Sequence, residues 1–90
     1  LIQAPAYSYR EPDALERRHE RLADWGFADS QYWLGRKLDP CRHPELAPDQ
    51  KSYLDAAGRA RYWYGKAAAQ NMPEAGQDLA RLDSCKVPAP

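Results

Sequence analysis

Apolar and small residues recur along this chain with the period of an α-helix. Ala60, Trp63, Tyr64, Ala67 and Ala68 fall at i, i+3, i+4, i+7 and i+8, one continuous stripe down a helical face. Forty-five residues upstream, Leu15, Arg18, His19, Leu22 and Ala23 trace the same stripe with two polar substitutions. Ala28, Tyr32, Gly35 and Leu38 share a third face, with Leu34 beside them, and Ala75, Leu79 and Leu82 share a fourth. Strand-like alternation is absent throughout the sequence, so the pattern predicts an all-α chain of about four helices.

Start and stop residues give these stripes their boundaries. Residues 1–12 carry Pro5 and Pro12 and no helical period, which predicts an extended N-terminal arm laid against the helices by Tyr7 and Tyr9. Asp13-Ala14-Leu15-Glu16 has the form of a capping box. It opens a helix expected to run to Trp25 and to stop at Gly26, a residue suited to the left-handed conformation. A second helix is expected over Ala28–Leu38, ended by Asp39-Pro40. Pro40, Pro44 and Pro48 make 39–54 a loop, with room for one helical turn after Pro48. The third helix is expected over 55–70, with Asn71 as its left-handed stop. Pro73 then opens a fourth helix to Leu82, so the helical domain covers 13–83 and 84–90 form a polar, proline-rich tail.

Small residues facing large ones let helices approach closely. Gly35, Ala67 and Ala68 supply the small side, and Tyr32, Trp33, Trp63 and Tyr64 the large side. The expected repeat core is therefore Leu15, Leu22, Ala23, Tyr32, Leu34, Gly35, Ala60, Trp63, Tyr64, Ala67, Ala68 and Leu79. A shift of 45 residues places Gly26 on Asn71, Ala23 on Ala68, Leu34 on Leu79 and Arg36 on Arg81. An internal repeat of that length turns attention from an active site to a partner.

The residues that carry the repeat also carry a family resemblance. Trp63-Tyr64-Gly65-Lys66-Ala67-Ala68-Ala69-Gln70-Asn71 resembles the second helix of a Sel-one-like repeat, a relative of the tetratricopeptide repeats, which typically reads Trp-Tyr-x-Lys-Ala-Ala-Glu-Gln-Gly. Ala28-Asp29-Ser30-Gln31-Tyr32-Trp33-Leu34-Gly35 is similar to its first helix, Ala-x-Ala-Gln-Tyr-x-Leu-Gly. The likeness spans Leu15 to Leu82 and implies a short solenoid of antiparallel helix hairpins. Three departures stand out. The loop 39–54 lacks the family's Gly-x-Gly turn and is longer than the usual connector. Arg18-His19 replace the Trp-Tyr pair of the first helix. Gly76, Gln77 and Asp78 deplete the last helix of aromatic packing, which suits a solubilising cap. The resemblance further implies a non-catalytic adaptor, with bacterial members serving the cell envelope or secretion.

Charge narrows the partner. Thirteen basic and thirteen acidic residues cancel, so no global field favours nucleic acid or an anionic membrane. No apolar run approaches the ~20 residues needed to cross a bilayer. Cys41 and Cys85 lie just beyond helices in equivalent parts of the two copies, and an even count in so small a chain predicts a disulfide. That pairing, with Leu1 rather than Met at the start, points to a periplasmic or secreted protein; two reduced thiols would instead suit the cytoplasm.

Catalytic and metal readings fit less well. Cys41-x-His43 with Cys85 and His19 matches no common zinc spacing. A Cys–His hydrolase needs an activated thiolate, an orienting group and an oxyanion hole, and no glycine-rich or strand–turn–helix setting supplies one. His19 aligns with Tyr64 and is expected to pack. Acidic residues occur singly along the helices and are expected on solvated faces. No cofactor is implied. Three tryptophans and six tyrosines exceed what so small a core hides. Trp25, Trp33 and Tyr62 fall beside the main stripes as candidate exposed anchors for a protein or peptide, flanked by Arg18, Arg36, Arg59 and Arg61, with His43 in the long loop. An adaptor is the expected function, with an immunity-type inhibitor of a secreted toxin, and more distantly a small metal- or thiol-dependent enzyme, as alternatives. Uncapped solenoid ends also allow self-association.

Overall fold

A computed structural model describes residues 13–85; the expected arm over 1–12 and the tail from 86 onward lie outside them. The described residues form four α-helices, α1 (Ala14–Asp24), α2 (Ala28–Leu38), α3 (Gln50–Ala68) and α4 (Pro73–Leu82), and one 3-10 turn over Pro44–Leu46. No strand occurs among them, and none of the described helices is long and apolar enough to cross a membrane.

The stops act as their residue types require. Asp13 caps α1 through its carboxylate, which accepts the Glu16 N–H at 2.8 Å. Gly26 takes φ +101°, with the Gly26 N–H bonding Ala23 O and the Phe27 N–H bonding Leu22 O, the two bonds of a Schellman turn. Asn71 takes φ +65° after α3. Gln70 ties these two turns together: its amide nitrogen donates to Gly26 O at 2.7 Å and to the Gln31 side chain at 2.9 Å.

The largest boundary difference from the sequence reading lies at the start of α3. α3 begins at Gln50 rather than Asp55, so the loop contracts to 39–49. Asp49 is the reason: its carboxylate accepts the Ser52 N–H at 2.7 Å and starts the helix immediately after Pro48.

α3 lies between α2 and α4 while α1 packs chiefly on α2, and cross-helix pairs such as Gln31 with Ala23, Gln70 with Gln31 and Tyr53 with Leu82 join the start of one helix to the end of its neighbour. Ala60, Tyr64 and Leu82 form the central cluster, with Tyr32, Leu38, Cys41 and Leu79 against it. A second cluster, Ala47, Tyr53 and Ala57, fills the space beneath the loop beside Cys85. Full burial of a side chain such as Leu82 contributes ~1.5–3 kcal/mol. Close approach of α2 and α3 depends on Gly35, where an added Cβ would come within 2.5 Å of the Tyr64 ring. The small-against-large arrangement is therefore Gly35 against Tyr64.

Most expected core residues are in place. Ala23, Leu34, Gly35, Ala60, Tyr64 and Ala67 are buried, and Leu22, Tyr32, Trp63, Ala68 and Leu79 are half-buried. Leu15 is the correction: it is 54% exposed. Ala60, 45 residues further on, is buried because two helices cover α3, whereas among the described elements α1 packs chiefly on α2.

Candidate functional site

Asp39 and Asp78 form the most constrained polar site among the described residues; Asp39 was expected only as a helix stop, and Asp78, like the other acids along the helices, on a solvated face. Asp39 ends α2 because Pro40 follows it. Its Oδ1 accepts the Cys41 N–H at 2.8 Å, a turn that brings the chain round toward α4. Its Oδ2 accepts the Tyr64 hydroxyl at 2.7 Å and the Arg81 guanidinium at 3.1 Å, with Arg42 Nε 3.9 Å away. Asp78 stands on α4, where Oδ2 accepts the Tyr32 hydroxyl at 2.6 Å and Oδ1 accepts Arg81 at 2.9 Å and Arg42 at 3.3 Å. Two carboxylates, two guanidiniums and two phenols thus close a neutral network joining α2, α3, α4 and the turn after α2.

The electrostatics follow from that closure. Burial, the hydrogen bond to Asp39 and the charges of Asp39 and Asp78 push Tyr64 far above the usual phenol range. Tyr32 moves the same way through burial and its bond to Asp78. Burial alone would raise Asp78, but the bonds from Tyr32 and Arg81 and the charges of Arg42 and Arg81 outweigh it and hold the carboxyl below its usual value. The two arginines are likewise raised by their carboxylates against the effect of burial. The phenols are fixed as donors and Asp78 as an acceptor. Every buried side-chain nitrogen and oxygen among the described residues has a partner, which is what keeps buried charge tolerable.

The Cys41–Cys85 disulfide closes over the same network, with Cα atoms 6.0 Å apart and 44 residues of sequence separation. Closing a loop of that size stabilises by about 4 kcal/mol in the chain-entropy account. Both sulfurs are consumed, so this oxidised chain offers neither a thiolate nucleophile nor a thiolate pair for zinc. The histidines have other partners. His19 stacks on Trp33 at 4.2 Å, with Nδ1 3.0 Å from the Ser30 hydroxyl, in keeping with a packing role. His43 Nδ1 lies 3.3 Å from Glu45. Among the described residues no group of three His, Cys, Asp or Glu side chains is placed to hold a metal ion.

The expected anchors separate onto different surfaces. Trp25 and Tyr62 are 74% and 56% exposed. Trp33 is half-buried instead, covered by His19 and by Lys37, whose ammonium sits 5.7 Å from the ring centroid. Arg59 pairs with Asp55 at 3.6 Å and Arg61 with Asp83 at 3.2 Å, while Arg36 lies over the Tyr32 ring and Arg18 is exposed on α1. A groove of about 520 Å³ runs between α1 and α3 over α2, lined among others by Glu20, Leu34, Leu54, Arg59, Tyr62 and Trp63. A second cleft, about 460 Å³, is bounded by Trp33, Arg36, Lys37, Arg42 and His43. Trp25, Arg18 and Arg61 line neither.

No protein-family model matches the chain, and no curated protein or solved structure is detectably similar to it.

Proposed function

We propose that the chain is a short α-solenoid, built in the manner of the Sel-one-like repeats, that binds another protein or peptide without catalysis. The observation that carries this reading is the groove between α1 and α3. There Leu54 and Tyr62, 60% and 56% exposed, stand beside the half-buried Trp63. Large apolar side chains held exposed around a concave surface are the common anchors of protein interfaces. Their backbone is the middle of a 19-residue helix, so little freedom is lost when a partner docks. The disulfide supports an oxidising setting such as the periplasm or the cell exterior. The reading as a bacterial envelope adaptor rests on the Trp-Tyr-x-Lys-Ala-Ala string, and the cationic cleft adds a second surface to it.

Capture from native extract tests the groove. The disulfide-intact chain and a Leu54→Ser/Tyr62→Ser double variant are used as baits, with mass spectrometry as the readout. One protein retained by the native chain and depleted about tenfold or more by the variant is the expected outcome, a loss of about 1.4 kcal/mol or more. Equal recovery on both baits would remove the groove as the binding surface.

A further inference from the structure

We propose that the cleft bounded by Trp33, Arg36, Lys37, Arg42 and His43 receives an acidic peptide segment of a partner protein, one that presents neighbouring carboxylates. The inference rests on the reading of the chain as a binding module and names the chemistry of a second surface, which shares Lys37 with the α1–α3 groove but none of Leu54, Tyr62 or Trp63. Its basis is a local excess of positive charge in a chain whose acidic and basic residues balance overall.

That excess comes from how each cation is held. Arg36 lies 5.7 Å from the Tyr32 ring centroid and Lys37 lies 5.7 Å from that of Trp33. An aromatic face positions a cation without neutralising it. Neither residue is within ion-pair distance of a carboxylate among the described residues. Arg42 is different: Asp78 at 3.3 Å and Asp39 at 3.9 Å fix its guanidinium at the cleft wall. The two buried acids are offset by Arg42 and Arg81, so they do not cancel Arg36 and Lys37. Glu45 stands on the rim beside His43 and is 71% exposed, and on its other side Lys37 borders the α1–α3 groove, whose lining includes Glu16, Glu20 and Asp55. Two cations with no ion-pair partner among the described residues and a rigid third donor therefore face one cleft of about 460 Å³.

Carboxylate is the ligand chemistry this arrangement suits. A guanidinium fork pairs with a carboxylate through two parallel bonds, and a neighbouring ammonium accepts the next one as a point charge. A nucleobase fits poorly, because stacking needs an open ring face. His19 covers Trp33 on one side and Lys37 stands over the ring, so the cleft has charge without a stacking platform.

Fluorescence anisotropy on the disulfide-intact chain tests the proposal with a labelled peptide carrying a run of glutamates and its glutamine counterpart. The glutamate peptide is expected to bind about tenfold or more tightly than the glutamine one, and to weaken as salt rises from about 50 mM to about 500 mM. Arg36→Glu/Lys37→Glu should abolish that binding, and Lys51→Glu at the start of α3 should leave it within about twofold. Far-UV circular dichroism checks each variant; if the charge reversal unfolds, Arg36→Gln/Lys37→Gln replaces it with the same expected loss. Equal binding of the two peptides, no binding of either, or an equal loss in Lys51→Glu overturns the proposal. So does an oligonucleotide that binds more tightly than the glutamate peptide. Capture through Leu54 and Tyr62 is read independently, so failure here leaves the α1–α3 groove standing.

Discussion

His19 on α1 and Tyr64 on α3 stand 45 residues apart, and so do Trp33 on α2 and Asp78 on α4. The first pair meets as two stacked rings at 4.2 Å, half open to solvent, with the Ser30 hydroxyl on the imidazole. In the second, Tyr64 is fully buried and its hydroxyl reaches Asp39, while Asp78 belongs to the same closed set of charges. Two helix pairs thus carry two kinds of contact. Position in the stack explains the difference. Among the described elements α1 packs chiefly on α2, and a flat stack that tolerates water is sufficient there. α3 has helices on both sides, and any polar group at its centre must be satisfied by protein.

The sharpest way to break this comparison is Asp39→Ala. Removing one member of the network leaves Arg81 and the Tyr64 hydroxyl short of a partner, with an expected loss of ~3–5 kcal/mol. At about 4–8 °C per kcal/mol, thermal unfolding should shift by well over ~10 °C. His19→Ala removes only a partly exposed stack, worth ~0.5–1.5 kcal/mol. Equal shifts in the two variants would show that the hairpins are held in the same way.

Acid titration sharpens it further. Asp78 has its folded-state value depressed below the usual 3.8, so the stability it contributes is present above that value and is lost as pH falls through the folded one. Asp78→Asn should cost ~1.5–3 kcal/mol at neutral pH. The gap between variant and native chain should then narrow below about pH 4. A gap that stays constant down to pH 2 in chemical denaturation would place the contribution of Asp78 outside its charge.

The smallest effect is expected at Leu15, which is 54% exposed. Leu15→Ala should change the denaturation midpoint by no more than about 0.5 kcal/mol, as for most surface substitutions. A loss of the size seen for buried leucines, ~2–5 kcal/mol, would mean that α1 is covered on its free side.

Much of the fold was legible because its signals are local. The α2 and α4 boundaries fell where Asp39-Pro40 and Pro73 put them, and both left-handed stops fell at Gly26 and Asn71. The start of α3 was missed because the helical turn allowed after Pro48 was read as an isolated turn within a proline-rich loop, although Asp49 is a strong cap for the whole helix. The disulfide was legible from the paired positions of the two cysteines. The buried network was not. One signal was present: Asp78 sits three residues after Ala75, on the apolar stripe of α4, where a solvated carboxylate is out of place. Trp33 was misplaced for a related reason, since a residue beside a stripe is covered or bare according to what a neighbouring helix supplies, here His19.

By itself the sequence determined the four helices, most of their stops, the division into small and large packing residues and the pairing of Cys41 with Cys85. These depend on residues a few positions apart, on φ preferences and on a repeat that can be aligned on paper. Only the tertiary structure decided which polar residues go inside. Tyr64 finds Asp39 across 25 residues and Tyr32 finds Asp78 across 46. The cost of burying a carboxylate depends on donors that only packing brings together.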